Sequence, residues 1–304
     1  MEQKSNILLR GMKVATITCF LIVVVLLGYF ISTSPVAFQK VAAVTFIEES
    51  EIALPEPKSY VDIRQILHGI PYKGGMVYEV EPKYKYEKTI QEGYGNCSNL
   101  AFGLGYYLSK HEHEFQIIHL MPPDGFLAGQ GHTVVNMPYT IDGKTIYGIV
   151  DVLEGGLPRN NDLFIDINSL RKGNFNNPSI LPLNPNKDHL SPYYHKEFLS
   201  YSVLGVIKGE EVKSYFKFIE NIYIPLGNRK LEKILYDGLS IVFGYYPKIY
   251  VLQEDSEALF KGNEFTKILA VTLLVSMRVL IFLFGFLVIV YMVFLVNGRI
   301  THKD

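Results

Sequence analysis

Two long apolar runs flank a middle section in which apolar residues either alternate or recur at helical spacing. Val14–Ser32 carries no charge and follows Lys4, Arg10 and Lys13, and its length suits a membrane span of ~20 residues. Pro35-Val36-Ala37 also admits a cleaved signal peptide, although the run is longer than the ~7–15 apolar residues of a signal core. At the other end, Ile268–Met277 and Val279–Val296 are apolar and are separated by Arg278, with Arg299 and Lys303 behind. A charge at mid-bilayer costs at least ~2.5 kcal/mol, so Arg278 is expected at a headgroup layer with the second span after it. Three basic residues precede the first span and only Lys40 follows it closely. That bias predicts a two-pass plasma (inner) membrane protein with cytoplasmic termini and residues 35–265 outside the cytoplasm.

Between these runs, Val41–Pro57 reads as an extended entry ending in a proline-rich linker. Tyr60–Leu67 and Tyr84–Glu92 read as short helices, separated by the break Pro71-Tyr72-Lys73-Gly74-Gly75. From Cys97, Ala101, Leu104 and Leu108 recur on one helical face. Glu114–Leu120 alternates like a strand, and Met121–Gly131 is a loop rich in glycine and proline that could border a cleft. His132 opens a β-branched run, Asp142-Gly143 signals a hairpin, and Thr145–Asp151 returns as a second strand. Leu157–Pro192 reads as long irregular structure with a short helix at Ile167–Lys172. Lys196–Ile207, Glu210–Tyr223 and Arg229–Phe243 have apolar residues at helical spacing and predict a helical appendage. The expected organisation is therefore 1–35 (first span), 36–160 (core), 161–266 (appendage) and 267–304 (second span).

The hairpin makes a geometric prediction. If Asp142 and Gly143 centre a two-residue turn, Ile141 opposes Lys144 and Val134 opposes Asp151. His132, Val134 and Asn136 then share a face with Tyr147, Ile149 and Asp151, while Thr133, Val135 and Met137 point the other way. His132 and Asp151 become diagonal neighbours, with backbones ~7–8 Å apart. A three-residue loop would slip the register and separate them.

Composition narrows the chemistry. The chain has 304 residues and a formal net charge of -1, which gives no electrostatic case for nucleic acid. Of its two cysteines, Cys19 lies in an apolar run and Cys97 is a lone thiol. Cys97 follows a glycine-rich turn at a helix start, where the free N–H groups favour thiolate. On that segment alone, a nucleophile and a buried structural cysteine are equally supported. His132 and Asp151 add an ordered base and orienter. His111, His113 and His119 invite a metal reading, but an i, i+2 pair at a helix-to-strand junction makes no closed four-ligand site, and a solvated turn is the better reading. No metal or cofactor is expected.

The segments GNCSNLAFGL, GHTVVNM and YGIVDV, in the order Cys, His, Asp, resemble the transglutaminase-like branch of the papain-like cysteine superfamily. The resemblance covers residues 85–155, about a quarter of the chain, and departs from many relatives in having no tryptophan; Tyr147 stands in the aromatic position. It implies an α+β core, with a cysteine-bearing helix packed on an antiparallel sheet, to which the apolar pattern adds a helical C-terminal appendage and two transmembrane helices. The resemblance implies Cys97 as nucleophile, His132 as base and Asp151 as orienter; near-normal activity of Asp151→Asn would point instead to another acceptor, such as Asn136, orienting His132. Gln91 lies six residues before Cys97, where papain-like enzymes carry an oxyanion donor, although a surface glutamine is the better reading; Tyr94 is the other candidate for the second donor. The expected activity is a peptidase, amidase or acyltransferase on protein or peptide amides near the cell envelope. The competing class is a catalytically idle module that binds or assembles within an envelope complex.

Overall fold

A computed structural model describes residues 2–32, 35–48, 52, 56–68, 70, 72–173, 175, 177–184, 192–261 and 264–300. Parts of the expected proline-rich linker (49–51, 53–55), Pro71 and parts of the Asn/Pro-rich stretch (174, 176, 185–191) lie outside the described residues.

The chain is α+β. Helix α1 (Glu2–Ser32) leads into α2 (Pro35–Ala43) and strand β1 (Val44–Ile47). Strand β2 (Val61–Asp62) is followed by α3 (Ile63–Leu67), α4 (Pro82–Tyr86), a π-type turn (Glu87–Gln91) and α5 (Cys97–Lys110). Strands β3 (Gln116–Met121), β4 (His132–Ile141) and β5 (Lys144–Val150) form the centre of the sheet. Then come β6 (Gly156–Asn160), β7 (Leu163–Phe164), α6 (Ile167–Lys172), β8 (Pro178–Pro182), α7 (Lys196–Leu199) and β9 (Val203–Lys208). Helices α8 (Gly209–Ile222) and α9 (Arg229–Phe243), strand β10 (Ile249–Leu252), α10 (Ser256–Phe260) and α11 (Glu264–Ile300) complete the order.

The main sheet runs β1-β10-β9-β3-β4-β2, with β5 on the other edge of β4. It is mixed: β1 pairs parallel with β10 and β2 with β4, and the remaining pairs are antiparallel. The hairpin register is the one drawn from the two-residue turn, with Ile141 opposite Lys144 and Val135 opposite Val150. Asp142 (φ 50°) and Gly143 (φ 74°) both lie in the left-handed region, as a type I′ turn requires.

The segment after residue 160 is a helical appendage only in part: Glu210–Tyr223 and Arg229–Phe243 form α8 and α9 as expected, but β9 and β10 belong to the main sheet. Lys196–Ile207 divides into the one-turn helix α7 and strand β9, which pairs with β3 along its full length. The run Val203-Leu204-Gly205-Val206-Ile207 is short, continuously apolar and rich in β-branched residues, as a strand buried on both faces reads, and its side chains go alternately to the two cores. Gly205 is close-packed: a Cβ there would lie 2.6 Å from Ile249 Cγ2 and 2.7 Å from Met121 Cε. Most of Leu157–Pro182 is likewise ordered, as a small sheet β7-β6-β8 and α6.

Each face of the main sheet has its own core. Ile117, Val135 and Ile207 pack with Leu100, Leu104 and Leu108 of α5 and with Val212, Phe216 and Ile219 of α8. Ile118, Val134, Ile149 and Val206 pack on the opposite face with Ile167, Leu170 and Tyr194.

Among the described residues, one stretch is long and apolar enough to cross a membrane, Lys267–Val293 within α11. Arg278 falls inside it and is tied to the domain: its guanidinium donates to the carbonyls of Ile241 (2.9 Å) and Val242 (3.1 Å), the last turn of α9. Helix α1 packs along α11, with Phe20 and Phe284 rings 5.9 Å apart.

Candidate functional site

The turn before α5 fixes where Cys97 sits. Gly93 (φ 66°) and Gly95 (φ 151°) adopt conformations that side chains disfavour, and a Cβ on Gly95 would lie 2.9 Å from Asn99 Cβ. Asn96 then caps the helix: its Oδ1 accepts the Asn99 N–H at 2.9 Å, and Asn99 Oδ1 accepts the Asn96 N–H at 3.4 Å. Asn99 also bonds the backbone of Val77, accepting from its N–H (3.2 Å) and donating to its carbonyl (3.3 Å). The cap is therefore anchored to the preceding chain, and Cys97 becomes the first residue of a 14-residue helix. Among the described residues, the N–H of Cys97 meets no acceptor within the protein.

His132 enters from the start of β4. Gly131 (φ 121°) precedes it, and a Cβ at that position would collide with the Leu120 carbonyl, so the loop can close onto β3 only with glycine there. Asp151 follows the last residue of β5, and its backbone exchanges hydrogen bonds with Gly156 at 3.0 and 3.1 Å. The diagonal pairing brings both side chains together: His132 Nε2 donates to Asp151 Oδ2 at 2.7 Å, with both side chains fully buried.

The carboxylate is saturated. Tyr194 Oη donates to the same Oδ2 at 2.8 Å, and the Glu154 N–H donates to Oδ1 at 3.1 Å. Burial pushes the Asp151 carboxyl up, but the His132 charge and these bonds outweigh it and hold it below its ordinary value. Burial alone would push His132 down; Asp151 and the Cys97 thiol outweigh that and hold the imidazole at about 10. Tyr193 lies flat on the imidazole, centroids 4.6 Å apart and planes within 4°, while the Tyr194 ring meets it edge-on at 6.1 Å.

Nδ1 of His132 makes no hydrogen bond of ordinary geometry, yet the ring and the Cys97 thiol are close enough to shift each other. Burial pushes the thiol up; His132, together with the backbone N–H and hydroxyl of Thr133, overcomes this and brings it below its ordinary value. Both shifts favour the thiolate–imidazolium pair over the neutral pair. Thr133 thus faces the α5 side of the sheet and touches the sulfur, while His132 at the strand's end reaches round to it from the other face. Thr133 Oγ1 also bonds His119 Nδ1 at 2.9 Å, and burial keeps that histidine neutral, well below its ordinary value.

The other expected site residues lie elsewhere. Gln91 is exposed, interacts with the Tyr86 hydroxyl and does not border the cavity in front of Cys97. Tyr94 is half-buried, its ring lying over Gly75 and near Lys88 Nζ (6.0 Å), also away from that cavity. Asn136 donates to Gln116 Oε1 (3.1 Å) rather than orienting His132. Tyr147 is half-buried, with its hydroxyl shielded from solvent. His113 bonds Ser59 (2.7 Å) and stacks with His111, and no group of metal-ligating side chains occurs among the described residues.

Sequence reasoning missed Tyr193 and Tyr194, which follow the Asn/Pro-rich stretch; the adjacent Pro192-Tyr193-Tyr194 was the available signal. It also missed a cavity of about 270 Å³ in front of Cys97, bordered by the Gly129–Gly131 loop, β3 and α9, into which Lys40 and Lys85 project. No family model, curated protein or solved structure matches this chain.

Proposed function

We propose that the protein is a membrane-anchored cysteine hydrolase or acyltransferase acting on amide bonds through Cys97, His132 and Asp151, of transglutaminase-like type. The observation that carries this reading is the buried 2.7 Å bond from His132 to Asp151 with the Cys97 thiol on the imidazole's other side, at a helix N-terminus.

In this reading the thiolate attacks the amide carbonyl carbon and a C–S bond forms. The developing oxyanion is met by the free N–H of Cys97. Collapse breaks the C–N bond, and the His132 imidazolium gives its proton to the departing amine. Water or an acceptor amine then attacks the thioester, His132 takes its proton, and the C–S bond breaks to restore the thiolate. Asp151 holds the imidazole with Nε2 protonated, so that Nδ1 is the nitrogen that exchanges protons with sulfur and substrate.

The same reading makes α1 and α11 a pair of spans with cytoplasmic termini and the domain outside, near protein or peptide substrates of the cell envelope. The Arg278 bonds to α9 support a span that begins after Arg278, since its partners belong to the folded domain. The test is stoichiometric alkylation of Cys97 by iodoacetamide below neutral pH, abolished in His132→Ala. An inert Cys97 in the wild type would refute the nucleophile and favour a binding module.

A further inference from the structure

The cavity in front of Cys97 is lined by more cationic groups than the fold neutralises. Asp237, on α9 and 1% exposed, is fully occupied: it accepts from Lys233 Nζ (2.6 Å), Gln39 Nε2 (3.0 Å) and Tyr215 Oη (2.7 Å). Lys233 is thereby paired. Lys85 is only 7% exposed and Lys40 is partly buried, and among the described residues neither ammonium has a hydrogen bond or an ion pair. Each is held only against a ring, Lys85 over Phe102 at 5.7 Å and Lys40 over Phe126 at 5.5 Å. Both border the same cavity as Cys97, and Lys40 lies within electrostatic reach of the sulfur.

A buried ammonium with no counter-charge in contact is costly, since Cys97 acts on Lys40, and Asp237 and Glu79 on Lys85, only from a distance; a methionine would fill the same space at no such cost. The arrangement is relieved when an anion enters. We propose that this cavity is a subsite for an anionic group, a carboxylate or a phosphoryl group, carried on a short acyl portion of the substrate and held by Lys40 and Lys85 while Cys97 attacks its carbonyl. The inference rests on the reading of Cys97 as a nucleophile. The volume, about 270 Å³, sits just below the ~300–1,000 Å³ of ordinary ligand pockets and suits a short chain. Burial lowers both lysines to about 8, the nearby Lys233 adding to this at Lys85, so both still carry charge at neutral pH. Glu79 and Asp237 act on Lys85 from beyond contact distance and offset its charge only in part.

The test uses the full-length protein in detergent and two alkylating agents of similar size, iodoacetate and neutral iodoacetamide, with attachment to Cys97 read by intact mass. An exposed thiolate repels iodoacetate, so a free thiol such as glutathione sets the reference rate ratio. Here the iodoacetate-to-iodoacetamide ratio is expected to exceed that reference by at least about fivefold, the factor that two opposite unit charges ~4 Å apart give even at the dielectric constant of water. Lys85→Met and Lys40→Met should each return the ratio toward the reference, and Lys85→Arg should preserve it. Protection of Cys97 by acetate alone assigns a carboxylate, and protection by phosphate alone assigns a phosphoryl group. A wild-type ratio equal to that of glutathione overturns the subsite, as does a raised ratio that survives both methionine variants. Failure of both agents to alkylate Cys97 refutes the nucleophile instead. The subsite is then judged by thermal unfolding, where acetate or phosphate should raise the wild-type midpoint but not that of the double methionine variant; equal responses overturn it.

Discussion

Asp151→Asn isolates the contribution of one buried charge. The native carboxylate accepts three bonds, from His132 Nε2, Tyr194 Oη and the Glu154 N–H. An asparagine has one acceptor oxygen and cannot serve both sides. With its oxygen kept on the Glu154 N–H, its NH₂ faces His132 and forces Nε2 to accept, which places the ring proton on Nδ1, toward the sulfur. With the amide flipped, NH₂ meets the Glu154 N–H. Either choice leaves an unpaired buried group, and removing one member of a buried pair costs about 3–5 kcal/mol. The charge that holds His132 at about 10 is lost as well, so burial dominates and the imidazole becomes neutral near neutral pH. Cys97 then loses its imidazolium neighbour, and its pKa rises. The expected result is a folded but destabilised protein whose iodoacetamide reaction moves to alkaline pH, with turnover reduced by about 10²–10⁴-fold. Rate against pH, followed by mass, together with urea unfolding, reads both effects. A variant whose rate–pH curve superimposes on the wild type would refute the orienting role of Asp151.

Tyr194→Phe removes a donor to a buried carboxylate and should cost about 1.5–3 kcal/mol in urea unfolding, while shifting Cys97 alkylation toward higher pH. Gly95→Ala places a Cβ against Asn99 at φ 151°, and should destabilise by about 1–3 kcal/mol and slow Cys97 alkylation through the disturbed cap. Wild-type turnover should have an alkaline limit near 10, where the His132 imidazolium loses the proton needed by the leaving amine, and this limit should fall in Asp151→Asn. Arg278→Met should increase hydrogen exchange in the last turn of α9, by removing its bonds to Ile241 and Val242, and leave exchange in α5 unchanged.

What was legible in the sequence was local. The glycine-rich turn and the spacing of Cys97, Ala101, Leu104 and Leu108 announce a helix with an inward face, and Asp142-Gly143 fixes a register that carries His132 to Asp151 without any knowledge of the rest of the fold. Strand β9 was not legible as a strand, because its pairing with β3 joins residues far apart in sequence, and its spacing also fits a helix. Gln91 is the surface glutamine it was expected to be, and the reason is physical: the π-type turn at Glu87–Gln91 ends before the glycine turn and leaves the side chain exposed beside Tyr86. Tyr193 and Tyr194 reach the site by long-range packing that no local period encodes.

The position of Lys40 bears on how the long helices relate to the site. Helix α2 directly follows α1 in the chain and packs on both α9 and α11. Its Val41 and Ala43 belong to the main core, as do Ala270 and Leu274 of α11. The same helix contributes Lys40 to the cavity and Gln39 to Asp237. The segments that flank the domain are thus part of its packing, and the wall opposite Cys97 is built in part from the chain that emerges from α1. Removing residues up to 43 as a dispensable tether would delete a cavity cation, unseat one of the bonds to Asp237 and open the core at Val41. A substrate held by Lys40 would sit close to the junction of α1, α2 and α11, so the site and the long flanking helices form one structural unit.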